Sequence, residues 1–107
     1  MSSTEIIRHV LLGRFRPGTT SEKLQMFSDA FREMTGKIEG ILSFEFGMNN
    51  SPEGLNRDFT HVYVITFSGK QARDAYLPHP EHLKFVEWVG RLDIIEVLLV
   101  VDYSPLS

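Results

Sequence analysis

Two kinds of hydrophobic periodicity alternate along this chain, and their order restricts the possible folds more than any other feature. Residues 6–16, 43–48, 59–67 and 94–103 alternate in side-chain character with the period of two that is typical of strands. A helical period of three to four appears between the first and second of these segments, and again between the third and fourth. The order β-α-β-β-α-β predicts an α+β, ferredoxin-like fold, in which a four-stranded antiparallel sheet carries the helices on one face. Right-handed crossovers lead us to expect strands one and three side by side and parallel in its middle.

Local signals indicate where the helices begin. Thr19 and Ser68 each precede a Glu or Gln by three residues, which is the spacing of a capping box. The sequence Pro78-His79-Pro80 must interrupt the second helical region, because proline lacks an amide hydrogen and clashes with the preceding turn. Pro80 suits the first position of a new helix, and His79 suits its cap.

Each helical region has one apolar stripe, which we expect to face the sheet. The stripe of the first region consists of Leu24, Phe27, Phe31, Met34 and Ile38. The stripe of the last helix consists of His82, Phe85, Val86 and Val89.

Composition narrows the class of protein. A chain of 107 residues that is 42% hydrophobic and 23% charged fits a single domain spanning residues 1–107. The formal net charge of −3 makes nucleic acid and anionic membrane surfaces poor candidates as partners. No cysteine is present, which excludes disulfides, thiolate catalysis and cysteine-ligated metals. The longest apolar stretch, residues 94–101, is short and contains Glu96, so we expect no membrane span and a cytoplasmic location.

Both faces of the predicted sheet are apolar. We expect the helix-covered face to take the alternate residues of the last strand that are uncharged: Ile95, Val97, Leu99, Val101 and Tyr103. The open face would then carry Val10, Leu12, Val62, Val64, Leu98 and Val100. Such a patch usually marks a partner surface, and a second copy packed sheet to sheet is the simplest cover. The alternative is a monomer whose open face is tolerated because arginine and threonine are mixed into it.

Three histidines and one tyrosine are expected to converge between the sheet and the helices. His9 and His61 fall on the helix-facing side of adjacent central strands, so their rings approach each other if the register matches. His82 lies on the inward stripe of the last helix, and Tyr76 lies one kinked turn before it. Gly13 lacks a side chain on the same face and is expected to help keep this space open.

An apolar cavity with a few convergent polar groups is the usual form of a small-molecule site. We expect Leu11, Phe27 and Phe31 to contribute apolar wall, with a small apolar carbonyl compound as the ligand. Imidazole titrates near neutral pH and serves as a general base, while a tyrosine hydroxyl stabilises a developing enolate. Together, His82 and Tyr76 suit proton abstraction next to a carbonyl, as in aldol or Claisen chemistry.

Other interpretations remain open. The histidines also fit structural hydrogen bonds in the core of a dimer that is not an enzyme. His79 and His82, three positions apart, also suit metal binding together with the strand histidines. No carboxylate is placed with them by the pattern, and no nucleotide motif is present, so we expect neither a metal nor a cofactor. A monooxygenase-like role rests only on analogy with other dimeric α+β barrels.

Four short motifs resemble the stress-responsive A/B barrel (Dabb) family over residues 5–104. They are Ile7-Arg8-His9-Val10, Phe59-Thr60-His61, Tyr76-Leu77-Pro78-His79-Pro80-Glu81-His82 and Val100-Val101-Asp102-Tyr103. The resemblance implies a dimeric α+β barrel in which two ferredoxin-like sheets close against each other. By likeness to a plant polyketide cyclase of the family, it implies that His82 and Tyr76 form an aldol-type catalytic pair and that His9 and His61 are pocket histidines. The bulky Phe27 and Phe31, and the polar loop of residues 49–58, depart from that cyclase.

Overall fold

The computed structural model describes residues 5–106 and confirms the ferredoxin-like fold. The proline-rich segment divides the second helical region into two helices, as the sequence indicates. The elements, in chain order, are β1 (Ile7–Phe15), α1 (Ser21–Thr35), β2 (Ile41–Met48), β3 (His61–Phe67), α2 (Lys70–Tyr76), α3 (Pro80–Leu92) and β4 (Ile95–Tyr103). No helix within the described range is long and apolar enough to cross a membrane.

The four strands form one sheet in the order β2-β3-β1-β4, and all neighbouring strands are antiparallel. The expected parallel pairing of strands one and three is therefore wrong. The crossover through α1 returns the chain so that β2 runs parallel to β1. Because β3 then reverses direction after β2, it lies antiparallel to both of them.

The core lies between the sheet and the helices. The predicted stripe of α1 faces the sheet, where Phe27, Phe31 and Met34 are buried against Tyr63 and Ile65 of β3. The Phe31 and Tyr63 rings stack with their centroids 5.3 Å apart. Each fully buried side chain of this kind contributes about 1.5–3 kcal/mol, so this aromatic layer holds α1 to the sheet.

The helix ends agree in part with the predicted caps. α1 is capped by Thr20 rather than Thr19: Thr20 Oγ1 accepts from the Lys23 amide, while Thr19 Oγ1 donates to the Arg16 carbonyl. Ser68 does not cap α2, whose N-cap is Gly69 with no side-chain hydrogen bond. The third prediction is confirmed, since Pro80 opens α3 and His79 Nδ1 accepts from the Glu81 amide.

A β-bulge near the start of β4 changes which side chains face the helices. Phe15 pairs with Ile95, but Arg14 pairs with Val97, so Glu96 is an extra residue between the two pairs. One extra residue reverses the alternation of every residue that follows it. The uniform alternation predicted for β4 is therefore wrong beyond Ile95.

The register with β1 shows the corrected faces, because directly opposed residues of an antiparallel pair share a face. Val100 lies opposite Leu11, and Leu98 lies opposite Gly13, so both face the helices rather than the open side. The open face instead receives Val97, Leu99, Val101 and Tyr103. It keeps Val10, Leu12, Val62 and Val64, as predicted.

Candidate active site

A cavity of about 290 Å³ lies on the helix side of the sheet, between β1, β4 and the pair α2 and α3. Predicted site residues supply part of its wall: His9, Leu11, Phe27, Phe31, Tyr76 and His82. α3 adds Phe85, Val86 and Val89, which confirms the predicted inward stripe of that helix. The bulge of β4 adds Leu98 and Val100.

The Tyr76 and His82 rings lie against each other, with centroids 4.1 Å apart and planes 30° apart. The proline-containing break between α2 and α3 produces this contact, because Tyr76 ends one helix and His82 lies in the first turn of the next. His82 Nδ1 lies 3.0 Å from the backbone oxygen of Leu77. A carbonyl oxygen only accepts, so Nδ1 carries the hydrogen, and the neutral ring has its lone pair on Nε2.

Tyr76 is only 2% exposed. Burial and the nearby Asp102 carboxylate raise its pKa well above the usual range of a tyrosine. Its hydroxyl therefore stays protonated throughout the neutral and mildly alkaline range. Tyr76 is thus suited to donate a hydrogen bond rather than to act as a base.

His9 is held by a carboxylate from the edge strand. Its Nδ1 lies 2.6 Å from Asp102 Oδ1, and its ring packs edge-on against Phe67 and Tyr76, at 5.9 and 5.8 Å between centroids. The other carboxylate oxygen of Asp102 accepts from Arg73 Nη1 at 2.7 Å. Because a carboxylate only accepts, His9 donates through Nδ1 and leaves Nε2 unused by this pair.

Neither Asp102 nor Arg73 is predicted as a site residue from the sequence. Once the bulge of β4 is counted, Asp102 follows Leu98 and Val100 on the helix-facing side and lies directly opposite His9. Asp102 can be identified as a site residue only once this register is known. Arg73 lies one helical turn before Tyr76 on α2, a spacing that identifies it only after Asp102 is known.

His61 does not share the cavity with the other predicted groups. It pairs with Gly13, whereas His9 pairs with Ile65, so the two histidines lie four register positions apart, about 13 Å along the strands. The expected approach of their rings is therefore wrong. Phe15 packs edge-on against His61 at 5.0 Å between centroids, and its ring fills the space over Gly13 that was expected to remain open.

His61 instead lines a separate recess between α1 and β2, together with Leu24 and Ser28. Its Nδ1 lies 2.8 Å from Thr60 Oγ1. Burial lowers the pKa of His61, so the ring is neutral at pH 7. This histidine and the cap residue His79 both lie outside the wall of the cavity that Tyr76 and His82 line.

The described acidic and imidazole side chains do not cluster as the ligands of a metal ion would. Within residues 5–106, no three His, Asp or Glu side chains lie together as the ligands of one ion would. In the described part of the chain, the one close carboxylate–imidazole pair is Asp102 with His9, and Asp102 also bonds Arg73. The geometry of this cavity favours acid–base chemistry and hydrogen bonding.

Sequence comparison identifies relatives along nearly the whole chain. A family model described as the stress responsive A/B barrel domain matches residues 7–105. The stress-response A/B barrel domain-containing protein HS1 of Arabidopsis thaliana is 34% identical over 102 residues, which cover 94% of this chain and 91% of that protein. Olivetolic acid cyclase of Cannabis sativa is 23% identical over 99 residues, which cover 92% of this chain and 96% of the cyclase.

Solved structures agree with the fold. The crystal structure of At3g17210 from Arabidopsis thaliana matches with a TM-score of 0.87 and 32% identity, covering 94% of this chain and 96% of that one. A dimeric ferredoxin-like protein from Thermobifida fusca matches with a TM-score of 0.77 and 18% identity, covering 94% of this chain and 92% of that one. The second likeness concerns the fold alone.

Proposed function

The chain belongs to the stress-responsive A/B barrel domain family, and on that premise we propose that it is a homodimeric enzyme that removes a proton next to a carbonyl. Its substrate is a small, neutral, largely apolar carbonyl compound. The observation that carries this proposal is the contact between Tyr76 and His82 inside an apolar cavity. Similarity to olivetolic acid cyclase supports a ring-closing aldol reaction as the reaction class.

The lining of the cavity argues for a neutral ligand. Among the described residues, no Lys, Arg, Asp or Glu side chain forms part of the wall. The polar side chains of the wall are His9, Tyr76 and His82, and all three lie toward the α2 end of the site. A ligand with an apolar body and one carbonyl at that end fits both the apolar wall and the polar side chains. A charged ligand is disfavoured, because an unpaired charge in such a wall is costly.

The two side chains divide the chemistry between base and hydrogen-bond donor. His82 Nε2 takes the proton from the carbon beside the carbonyl, and the electron pair of that C–H bond forms the enolate double bond. The carbonyl oxygen gains the displaced charge and accepts a hydrogen bond from the Tyr76 hydroxyl. The enolate carbon then bonds to a second carbonyl carbon of the same molecule, and the His82 imidazolium returns its proton to the new alkoxide.

The open face of the sheet supports the homodimer. It is built from Val10, Leu12, Val62 and Val64, together with Leu99 and Val101 of β4. The last two side chains are 44% and 53% exposed in the single chain, although both are apolar. A contiguous apolar face of this kind is unusual on a monomer, and a structural relative with the same fold is dimeric.

Deuterium exchange into a simple ketone tests the proposed function. With 4-phenyl-2-butanone in D₂O, we expect the protein to accelerate exchange of the protons beside the carbonyl, as measured by NMR. His82→Ala and Tyr76→Phe should each lower the rate about 100-fold or more. The matched control is Lys84→Ala, an exposed change on the same helix that should leave the rate unchanged.

Two outcomes would contradict the proposal. One is exchange by the unaltered protein no faster than in buffer, across a panel of aryl and alkyl ketones and β-keto esters. The other is exchange that persists in His82→Ala. If His82→Ala only lowers the melting temperature, and no ketone raises that of the unaltered protein, the histidines are structural.

A further inference from the structure

We propose that Arg73 is a positioning residue for this site, because its bond to Asp102 holds His9 in a single tautomer and ties the helix of Tyr76 to the edge strand. The inference rests on the proposed function for its catalytic consequence. Its structural part concerns only Arg73, Asp102 and His9. The two parts therefore have separate readouts.

Asp102 is fixed by two donors from two different elements. Oδ1 lies 2.6 Å from His9 Nδ1 on β1, and Oδ2 lies 2.7 Å from Arg73 Nη1 on α2. The side chains of Arg73 and Asp102 are only 21% and 25% exposed. With each oxygen occupied, the carboxylate cannot rotate without breaking a charge-assisted hydrogen bond.

This arrangement decides which nitrogen of His9 carries the hydrogen. The carboxylate has only acceptor atoms, so the bond at Nδ1 requires an Nδ1–H group and leaves Nε2 as the lone-pair nitrogen of the neutral ring. His9 is 7% exposed and lines the cavity, so it presents a defined polar atom to a ligand. Without Arg73, water competes for the freed oxygen and Asp102 turns away from His9.

The same bond also anchors Tyr76. α2 has only seven residues and no side-chain cap, so contacts to the rest of the fold must hold it in place. Arg73 lies three residues before Tyr76, which puts its bond to Asp102 one turn from the phenol. Loss of that bond is expected to loosen the position of Tyr76 relative to His9.

The chain provides a matched control in Asp74. Arg73 Nε also bonds Asp74 Oδ1 at 2.7 Å, but the Asp74 side chain is 52% exposed and lies outside the cavity wall. Asp74→Asn removes an ion pair from the same arginine and leaves the Asp102 bond in place. If Arg73 acts through Asp102, Asp74→Asn should therefore behave like the unaltered protein.

The test measures ring nitrogen shifts of His9 in long-range ¹H–¹⁵N spectra at a pH where the ring is neutral. We expect one dominant Nδ1–H tautomer in the unaltered protein and in Asp74→Asn. In Arg73→Gln the other tautomer should become substantially populated. Arg73→Met, which retains the apolar stem, replaces Arg73→Gln if the latter does not fold.

A ketone exchange assay supplies the catalytic readout. In the neutral Arg73 variant, kcat should fall about tenfold while KM changes less than about twofold, because a misplaced polar group slows the chemical step more than it weakens apolar binding. A His9 tautomer equal to that of the unaltered protein would overturn the inference. If the unaltered protein catalyses no exchange, the proposed function is contradicted. The tautomer measurement alone then decides whether Arg73 positions His9.

Discussion

The imidazole of His82 and the phenol of Tyr76 stack at 4.1 Å between centroids, across the break that separates α2 from α3. The Leu77 carbonyl oxygen, within that break, accepts a hydrogen bond from His82 Nδ1, and the two atoms lie 3.0 Å apart. One short segment therefore sets the distance between a base and a hydrogen-bond donor, and also the nitrogen on which the base has its lone pair.

The first prediction concerns the stability of the folded protein at alkaline pH. Because Tyr76 has a raised pKa in the folded state, the unfolded chain loses this proton first, near the ordinary tyrosine value of 10.0. The contribution of Tyr76 is fully present below pH 10, and it is lost as the pH rises toward the folded pKa. The free energy of unfolding should fall by up to about 1.4 kcal/mol per pH unit from this one group.

Urea unfolding at pH 9, 10 and 11 measures this dependence, with Tyr76→Phe as the comparison. The raised pKa of Tyr63, caused by burial, adds a similar slope, so Tyr76→Phe should reduce the slope without removing it. An unchanged slope in Tyr76→Phe would show that the phenol ionises freely in the folded protein.

The second prediction concerns acid and His61. Burial lowers the folded pKa of His61 below its ordinary value of 6.5, so the unfolded chain binds this proton first as the pH falls. Its contribution to stability is present above pH 6.5 and declines as the pH falls toward the folded pKa. Thermal melts of the unaltered protein and of His61→Gln between pH 5 and 8 should show a weaker pH dependence in the variant. Parallel curves for the two proteins would contradict this assignment.

The third prediction separates the two faces of β4. Leu98 and Leu99 are 43% and 44% exposed in the single chain, but Leu98 faces the cavity and Leu99 faces the open side. Leu99→Glu should convert the proposed dimer to a monomer, because a charge in the centre of a sheet-to-sheet contact is left unpaired. Leu98→Glu should leave the dimer intact and abolish ketone binding.

Sedimentation velocity measures the mass of both variants, and ligand-observed NMR measures ketone binding. A reversal of the two results would show that the alternation of β4 continues without the bulge at Glu96. A monomeric unaltered protein would contradict the proposed dimer.

The fourth prediction tests whether the ligand occupies the cavity. Val86 and Leu83 both lie on α3 and are 51% and 54% exposed, but only Val86 lines the cavity wall. Val86→Trp should fill the opening and weaken binding of 4-phenyl-2-butanone at least tenfold, with little loss of stability because the site is at the rim. Leu83→Trp adds the same bulk away from the cavity and should bind the ketone like the unaltered protein. Equal affinities in the two variants would place the ligand elsewhere.

The sequence alone predicted much of the fold and part of the site. Alternation and helical spacing are local properties, so the element order, the inward stripes of α1 and α3 and the cap at His79 were all readable without coordinates. The motif around Tyr76 and His82 was readable for the same reason, since both residues lie within one stretch of seven. The cap of α1 lies one residue beyond the predicted position, because Thr19 Oγ1 donates to the Arg16 carbonyl and Thr20 Oγ1 accepts from the Lys23 amide.

What the sequence by itself determined is the set of elements, their apolar faces and the residues able to do acid–base chemistry. Only the tertiary structure decided which of those residues meet, because strand register joins positions far apart in the chain. His9 and Asp102 bond across a separation of 93 residues, and a single extra residue in β4 moved Leu98 and Val100 from the open face into the cavity wall. The same pairing placed His61 opposite Gly13 and away from His9, because alternation fixes the face that a residue takes but a slip of two residues leaves that face unchanged.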